Sequence, residues 1–148
     1  MKIISSVVVF LFLSVASFSQ EEDQGDPVQG PEEVVRQLFD LVTFGPGEKP
    51  DLEKVRSLFI KEAVLVLRTS RKGNTTFDVD GFIADWERFV ASQAVKEKGF
   101  EEKIIRLKPM VLGDMAQMLV LYEAQIPGSS RGPQQGVDNF LLIKRLCQ

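Results

Sequence analysis

Residues 104–126, IIRLKPMVLGDMAQMLVLYEAQI, hold two long apolar runs on either side of a short polar break. Aliphatic and β-branched side chains crowd both halves, and Gly113-Asp114 at the middle is a turn signature between two extended runs. Ile104 to Leu112 therefore reads as one strand. Pro109 demotes its middle, since proline has no N–H to give to a ladder. Met115 to Ile126 reads as the antiparallel strand that follows. A loop containing Pro127, Gly128, Ser129, Ser130, Gly132 and Pro133 leads to a third strand, Val137 to Leu146, so the three form a meander. Leu119-Val120-Leu121 and Phe140-Leu141-Leu142-Ile143 are apolar on both parities of the strand period. Both faces of this sheet therefore need cover.

Upstream of the meander the period is helical. Pro31 sits where a helix accepts its first residue, Glu32 and Glu33 favour the positive end of the dipole, and Val34, Val35, Leu38, Leu41 and Val42 recur at helical spacing. Gly45-Pro46-Gly47 stops this helix. Asp51 can cap a second, short one with Leu52, Val55, Leu58 and Phe59 as its apolar positions. Ala63 to Leu67 is a continuous apolar run bounded by charges, which predicts a buried strand, and Thr69 to Thr76 predicts an exposed loop around Gly73-Asn74. Asp78 or Asp80 can cap a third helix, in which Phe82, Ile83, Trp86, Phe89 and Val90 make one wide apolar stripe. Helices followed by strands give an α+β fold with the helices segregated on one face of an antiparallel sheet. A second subunit is then the natural cover for the other face, a homodimer through the sheet.

The ends carry different information. Lys2 followed by the apolar run Ile3 to Val15 and the small-x-small arrangement Ser17-Phe18-Ser19 reads as a signal peptide over residues 1–19, cleaved before Gln20. The run is short for a membrane span, and charged residues follow it at once. Residues 20–30 read as a polar linker and residues 31–148 as the domain. The expectation is an exported protein, periplasmic or secreted, with no membrane attachment after cleavage. Cys147 is the only cysteine, so the chain has no internal disulfide and a packed core must hold it together.

Composition narrows the chemistry. A formal charge of −3 without a basic block argues against nucleic acid as a partner. The chain has no histidine, which removes histidine-dependent triads and histidine-rich metal sites. Glu101-Glu102, Asp78 with Asp80, and Glu21-Glu22-Asp23 lack the spacing of a calcium loop, and no phosphate loop, dinucleotide fingerprint or nucleophile elbow occurs. The sequence implies no metal and no cofactor, and no catalytic motif. What remains is a set of pocket candidates: Tyr122 and Asp138 on neighbouring strands, Phe82 and Trp86 on the third helix, Phe140 on the last strand, and Arg68 at a strand end. For Tyr122 and Trp86 a place in the core is the plainer reading. Asp138 also reads as a strand-entry residue bonding the preceding loop, and Arg68 as part of a solvated basic run.

Pro31 to Phe44, the Leu58-Phe59 to Leu67 passage, Val79-Asp80-Gly81-Phe82, Gly113-Asp114-Met115-Ala116 and Gly136 to Lys144 occur in an order that resembles the nuclear transport factor 2-like superfamily. That resemblance, over about Gly30 to Leu146, implies a cone-shaped α+β fold shared with polyketide cyclases and ketosteroid isomerases. The chain departs from it by ending at Gln148 without the usual final strand, so either the terminus is abbreviated or the sheet lacks an edge. The function expected is an exported module that binds a small apolar or amphipathic molecule, or that associates through its sheet. The alternative is a cofactor-free isomerase, lyase or cyclase; the resembled isomerases place a tyrosine and aspartates inside the cone.

Overall fold

A computed structural model describes residues 30–70 and 73–144. The expected leader, the linker as far as Gln29, and Cys147 lie outside the described residues. The elements are α1 (Pro31–Val42), α2 (Leu52–Ser57), β1 (Leu65–Ser70), β2 (Gly73–Phe77), α3 (Val79–Ala91), α4 (Gln93–Lys98), β3 (Glu101–Leu112), β4 (Met115–Gln125) and β5 (Gln134–Ile143). The architecture is α+β, with helices packed on antiparallel strands. Those strands divide between a β1-β2 hairpin and a meander of order β3-β4-β5.

Local chemistry accounts for most of the boundaries. Pro31 opens α1 behind Gly30, and the carboxylates of Asp51 and Asp78 accept from the backbone N–H of Lys54 and Gly81 to cap α2 and α3. Two residues, Gly113 and Asp114, join β3 to β4; Gly113 has φ 58°, and no non-glycine residue described has positive φ. That is the pattern of a hairpin with glycine first in the turn. Pro109 sits in β3, which is an edge strand of the meander, so its missing N–H breaks no ladder between strands.

Three expectations are corrected. Ala63 to Leu67 is not buried throughout: Val64 and Val66 are 69% and 62% exposed, because only Ala63, Leu65 and Leu67 turn toward the helices while the alternate residues face out. Thr69 to Thr76 is not a loop, since Gly73–Phe77 returns as β2, pairing Phe77 with Leu65 and Thr75 with Leu67. The last strand begins three residues earlier than its apolar run, because Gln134, Gln135 and Gly136 pair with Ala124, Glu123 and Tyr122 despite their polarity. Helix α4 carries no apolar stripe of its own and is held by its one buried residue, Val95.

α1 joins two cores. Val35 and Phe39 pack on Ala116, Met118 and Val120 of β4, whereas Val42 meets Val55, Val79, Phe82 and Ile83 under the hairpin and α3. A ladder of edge-on rings, Phe59-Phe82-Trp86-Phe89-Phe100, runs through the second region. Beneath it Phe44 and Phe100 exchange both backbone hydrogen bonds, at 2.9 Å each. That bridge ties the end of α1 to the start of β3.

Candidate functional site

The register of the meander sorts its side chains onto two faces. Even residues of β4, from Ala116 to Ala124, face α1, and their partners on β5 are Leu142, Phe140, Asp138, Gly136 and Gln134. On β3 the pairing slips between Ile104 and Arg106, leaving Ile105 as a one-residue bulge. Before the bulge Glu102 and Ile104 face α1; after it Leu107 does, and Arg106 and Lys108 turn to the other face.

On the α1 side the polar groups gather at one end. Ile104, Tyr122 and Gly136 form one row across the sheet, with Glu102 one step diagonal to Tyr122 on β3 and Asp138 one step diagonal on β5. Tyr122 thus stands between two carboxylates. Its ring meets Phe39 edge-on at 5.7 Å, and Phe140 meets the other side of Phe39 at 6.4 Å. Thr43, the residue after α1, donates its hydroxyl to the Glu102 carbonyl and accepts the Glu102 N–H, at 3.1 and 3.0 Å. The helix end thereby fixes the backbone that carries this carboxylate.

Burial decides the protonation of the cluster. It raises the Glu102 carboxyl to about 7, with the Asp138 charge adding to the effect, and raises Asp138 to about 6. Burial and then the charges of Asp138 and Glu102 push the Tyr122 phenol up to about 12, so it remains a neutral O–H donor. Burial thus brings the Glu102 carboxyl into the range where both protonation states are reached near neutral pH.

Of the pocket candidates, the structure brings Tyr122, Asp138 and Phe140 to one face. Phe82 and Trp86 belong to the other core, and Arg68 is exposed on β1. Phe82 and Trp86 therefore pack in a different core from Tyr122 and Asp138, and α1 contributes side chains to both. The residue missed by sequence reading is Glu102. Its signal was its position two residues before Ile104, which strand alternation turns toward the core. Two surface clefts lie elsewhere. One of about 410 Å³ is lined by residues such as Lys49, Leu52, Glu87 and Lys96, and one of about 210 Å³ lies beside the ion-paired Arg56 and Asp80. Among the described residues no group of three or more acidic or cysteine side chains could hold a metal ion, and no helix is long and apolar enough to cross a membrane.

The opposite face of the meander is open. Met110 and Leu112 of β3, Met115 and Leu119 of β4, and Val137, Leu141 and Ile143 of β5 all point away from α1 and are exposed, Leu112 by 83% and Leu141 by 73%. They are neighbours in the register and form one apolar field. Arg106, Lys103 and Glu101 mark its far end, and Lys108 stands beside Leu119 within it. Comparison with protein-family models, with curated proteins and with solved structures finds no match to this chain.

Proposed function

We propose that this domain is an exported association module that pairs with a second copy of itself through the open face of the meander. The observation that carries the reading is the field of seven exposed apolar side chains around Leu119 and Leu141. Scattered apolar residues are ordinary on a surface, but a contiguous patch of this kind marks a place that another surface covers. Three strands about 4.8 Å apart and about ten residues long span roughly 14 by 33 Å. That flat footprint of about 460 Å², to which side-chain relief adds, is a little over half of the about 800 Å² that each partner contributes to a standard interface. Light scattering over a concentration series tests the reading: a dimer is expected, and Leu141→Glu should make it monomeric without loss of helical and strand signal. A monomer that remains one at high concentration would end it.

The carboxylate–phenol cluster supports a second reading, a small-molecule site that works by proton transfer without a cofactor. The observation in its favour is that Glu102, Tyr122 and Asp138 share one face in adjacent rows of the sheet, where burial raises both carboxyls. It stands second because Phe39 packs edge-on against Tyr122, and neither of the two clefts described above is lined by the cluster. Mass spectrometry of ligand carried through native purification tests it, with a bound small molecule expected from wild type and lost from Asp138→Asn. Protein that carries nothing in either form would remove this reading.

A further inference from the structure

At the centre of the apolar field lie two amides. Gln117 has Met110 and Leu141 as its cross-strand partners and Met115 and Leu119 as its neighbours along β4. Asn139 stands opposite Leu119, between Val137 and Leu141. The Gln117 Nε2 donates to Asn139 Oδ1 at 3.0 Å, so the two amides form one polar island with apolar side chains on most sides and Lys108 diagonal to Gln117. Their bond uses one amide's N–H and the other's carbonyl. It leaves the Gln117 carbonyl and the Asn139 NH₂ free to bond outward.

Those two remaining groups are complementary to each other. A pairing that is isologous brings residue i of one subunit to residue j of the other, and j to i. We infer that the Gln117–Asn139 pair sets the two-fold of the dimer, each Asn139 NH₂ donating to the Gln117 carbonyl of the partner subunit and closing a ring of four amide hydrogen bonds. The axis lies in the plane between the two sheets and crosses between the two amides. This rests on the association reading above and specifies its geometry. A purely apolar cover such as a lipid surface leaves both groups buried without partners, at a cost of about 1–3 kcal/mol for each. A second copy supplies the matching groups by symmetry alone. A hydrogen-bonding pair inside a largely apolar interface also selects one register among many that would bury the same area, as a single buried amide does in a coiled coil.

The test is the dissociation constant of the dimer, measured by sedimentation for single and double variants. Gln117→Leu or Asn139→Leu alone strands its former partners inside the interface and should raise Kd at least tenfold, although both positions are on the open face and the monomer fold is unaffected. The double variant Gln117→Leu/Asn139→Leu has no stranded amide; it should recover the affinity and lose the single stoichiometry, forming mixed or larger assemblies. If both single variants stay within twofold of the wild-type Kd while Leu141→Glu still separates the subunits, the amide ring is overturned and the association reading stands. If the wild-type chain is monomeric, the association reading falls and takes this inference with it.

Discussion

Tyr122 occupies the space that a side chain at position 136 would need: a Cβ built on Gly136 stands 2.4 Å from both Cζ and Oη of the tyrosine. The two residues are direct cross-strand partners on β4 and β5. Glycine at 136 therefore lets the phenol lean toward β5 beneath Phe39, and that lean brings it near Asp138.

Replacing Gly136 with Ala should push the ring away and destabilise the fold by about 1–3 kcal/mol, the usual cost of overpacking. In a Tyr122→Ala background the same change should be close to neutral, because its obstacle is gone. Chemical denaturation of the four proteins in a double-mutant cycle measures this coupling. Equal effects of Gly136→Ala in both backgrounds would show that the ring does not depend on the glycine.

The carboxylates give the fold a pH dependence whose sign is fixed. Glu102 goes from about 4.5 to about 7 on folding and Asp138 from 3.8 to about 6, so the folded state holds protons that the unfolded chain releases. Stability should be greatest below about pH 4 as far as these groups are concerned, decline as pH rises between about 4 and 7, and level off above that. Glu102→Gln removes the larger share of this penalty. Allowing for partial exposure of the site, it should stabilise the protein by about 1–2 kcal/mol at pH 8 and have little effect at pH 4. Urea titrations at the two pH values check it; a variant less stable than wild type at pH 8 would contradict the burial argument.

The meander was legible because turn chemistry and strand composition agree. Gly113-Asp114 fixes one turn, and an edge is the place in a sheet where Pro109 does no harm to pairing. The first and third helices announce themselves by their stripes and by Pro31 and Asp78. What escaped the reading depends on contacts made far along the chain. Gln134 to Gly136 become strand only because β4 is there to pair with them, and Val64 and Val66 look like core until the hairpin turns them outward. The bulge at Ile105 has no local signature, yet it decides that Arg106 and Lys108 face the same side as Met110 and Leu112. Tyr122 and Asp138 share a face because the register is the one expected of a meander, whereas Phe82 and Trp86 were separated from them by α1, whose two-sided packing a single apolar stripe does not reveal.

Gly99 offers a test of the link between the two cores. It has φ +78°, and a Cβ there would stand 2.4 Å from the Phe44 carbonyl oxygen, which accepts the Phe100 N–H. Left-handed strain and the clash act together. Gly99→Ala should cost about 2 kcal/mol or more, and hydrogen exchange should show the Phe44 and Phe100 amides losing protection before those of β4. Unchanged protection at Phe44 and Phe100 would mean that the bridge tolerates a side chain.

The last prediction concerns export, and it rests on the order of chemical types at the start of the chain. One cation at Lys2, an apolar run from Ile3 to Val15, and small residues at Ser17 and Ser19 match the three zones that a secretory leader needs. Cleavage after Ser19 leaves Gln20 at the mature terminus, with the polar stretch to Gly30 ahead of α1. Among the described residues, every member of the two cores lies at or beyond Val35, well past the cleavage point. Peptide mapping of material recovered outside the cytosol should find Gln20 at or near the N-terminus, and Ser19→Leu, which puts a bulky side chain where the peptidase accepts a small one, should slow processing while the exported protein that is cleaved folds as before. Recovery of the chain from the cytosol with Met1 intact would overturn the prediction.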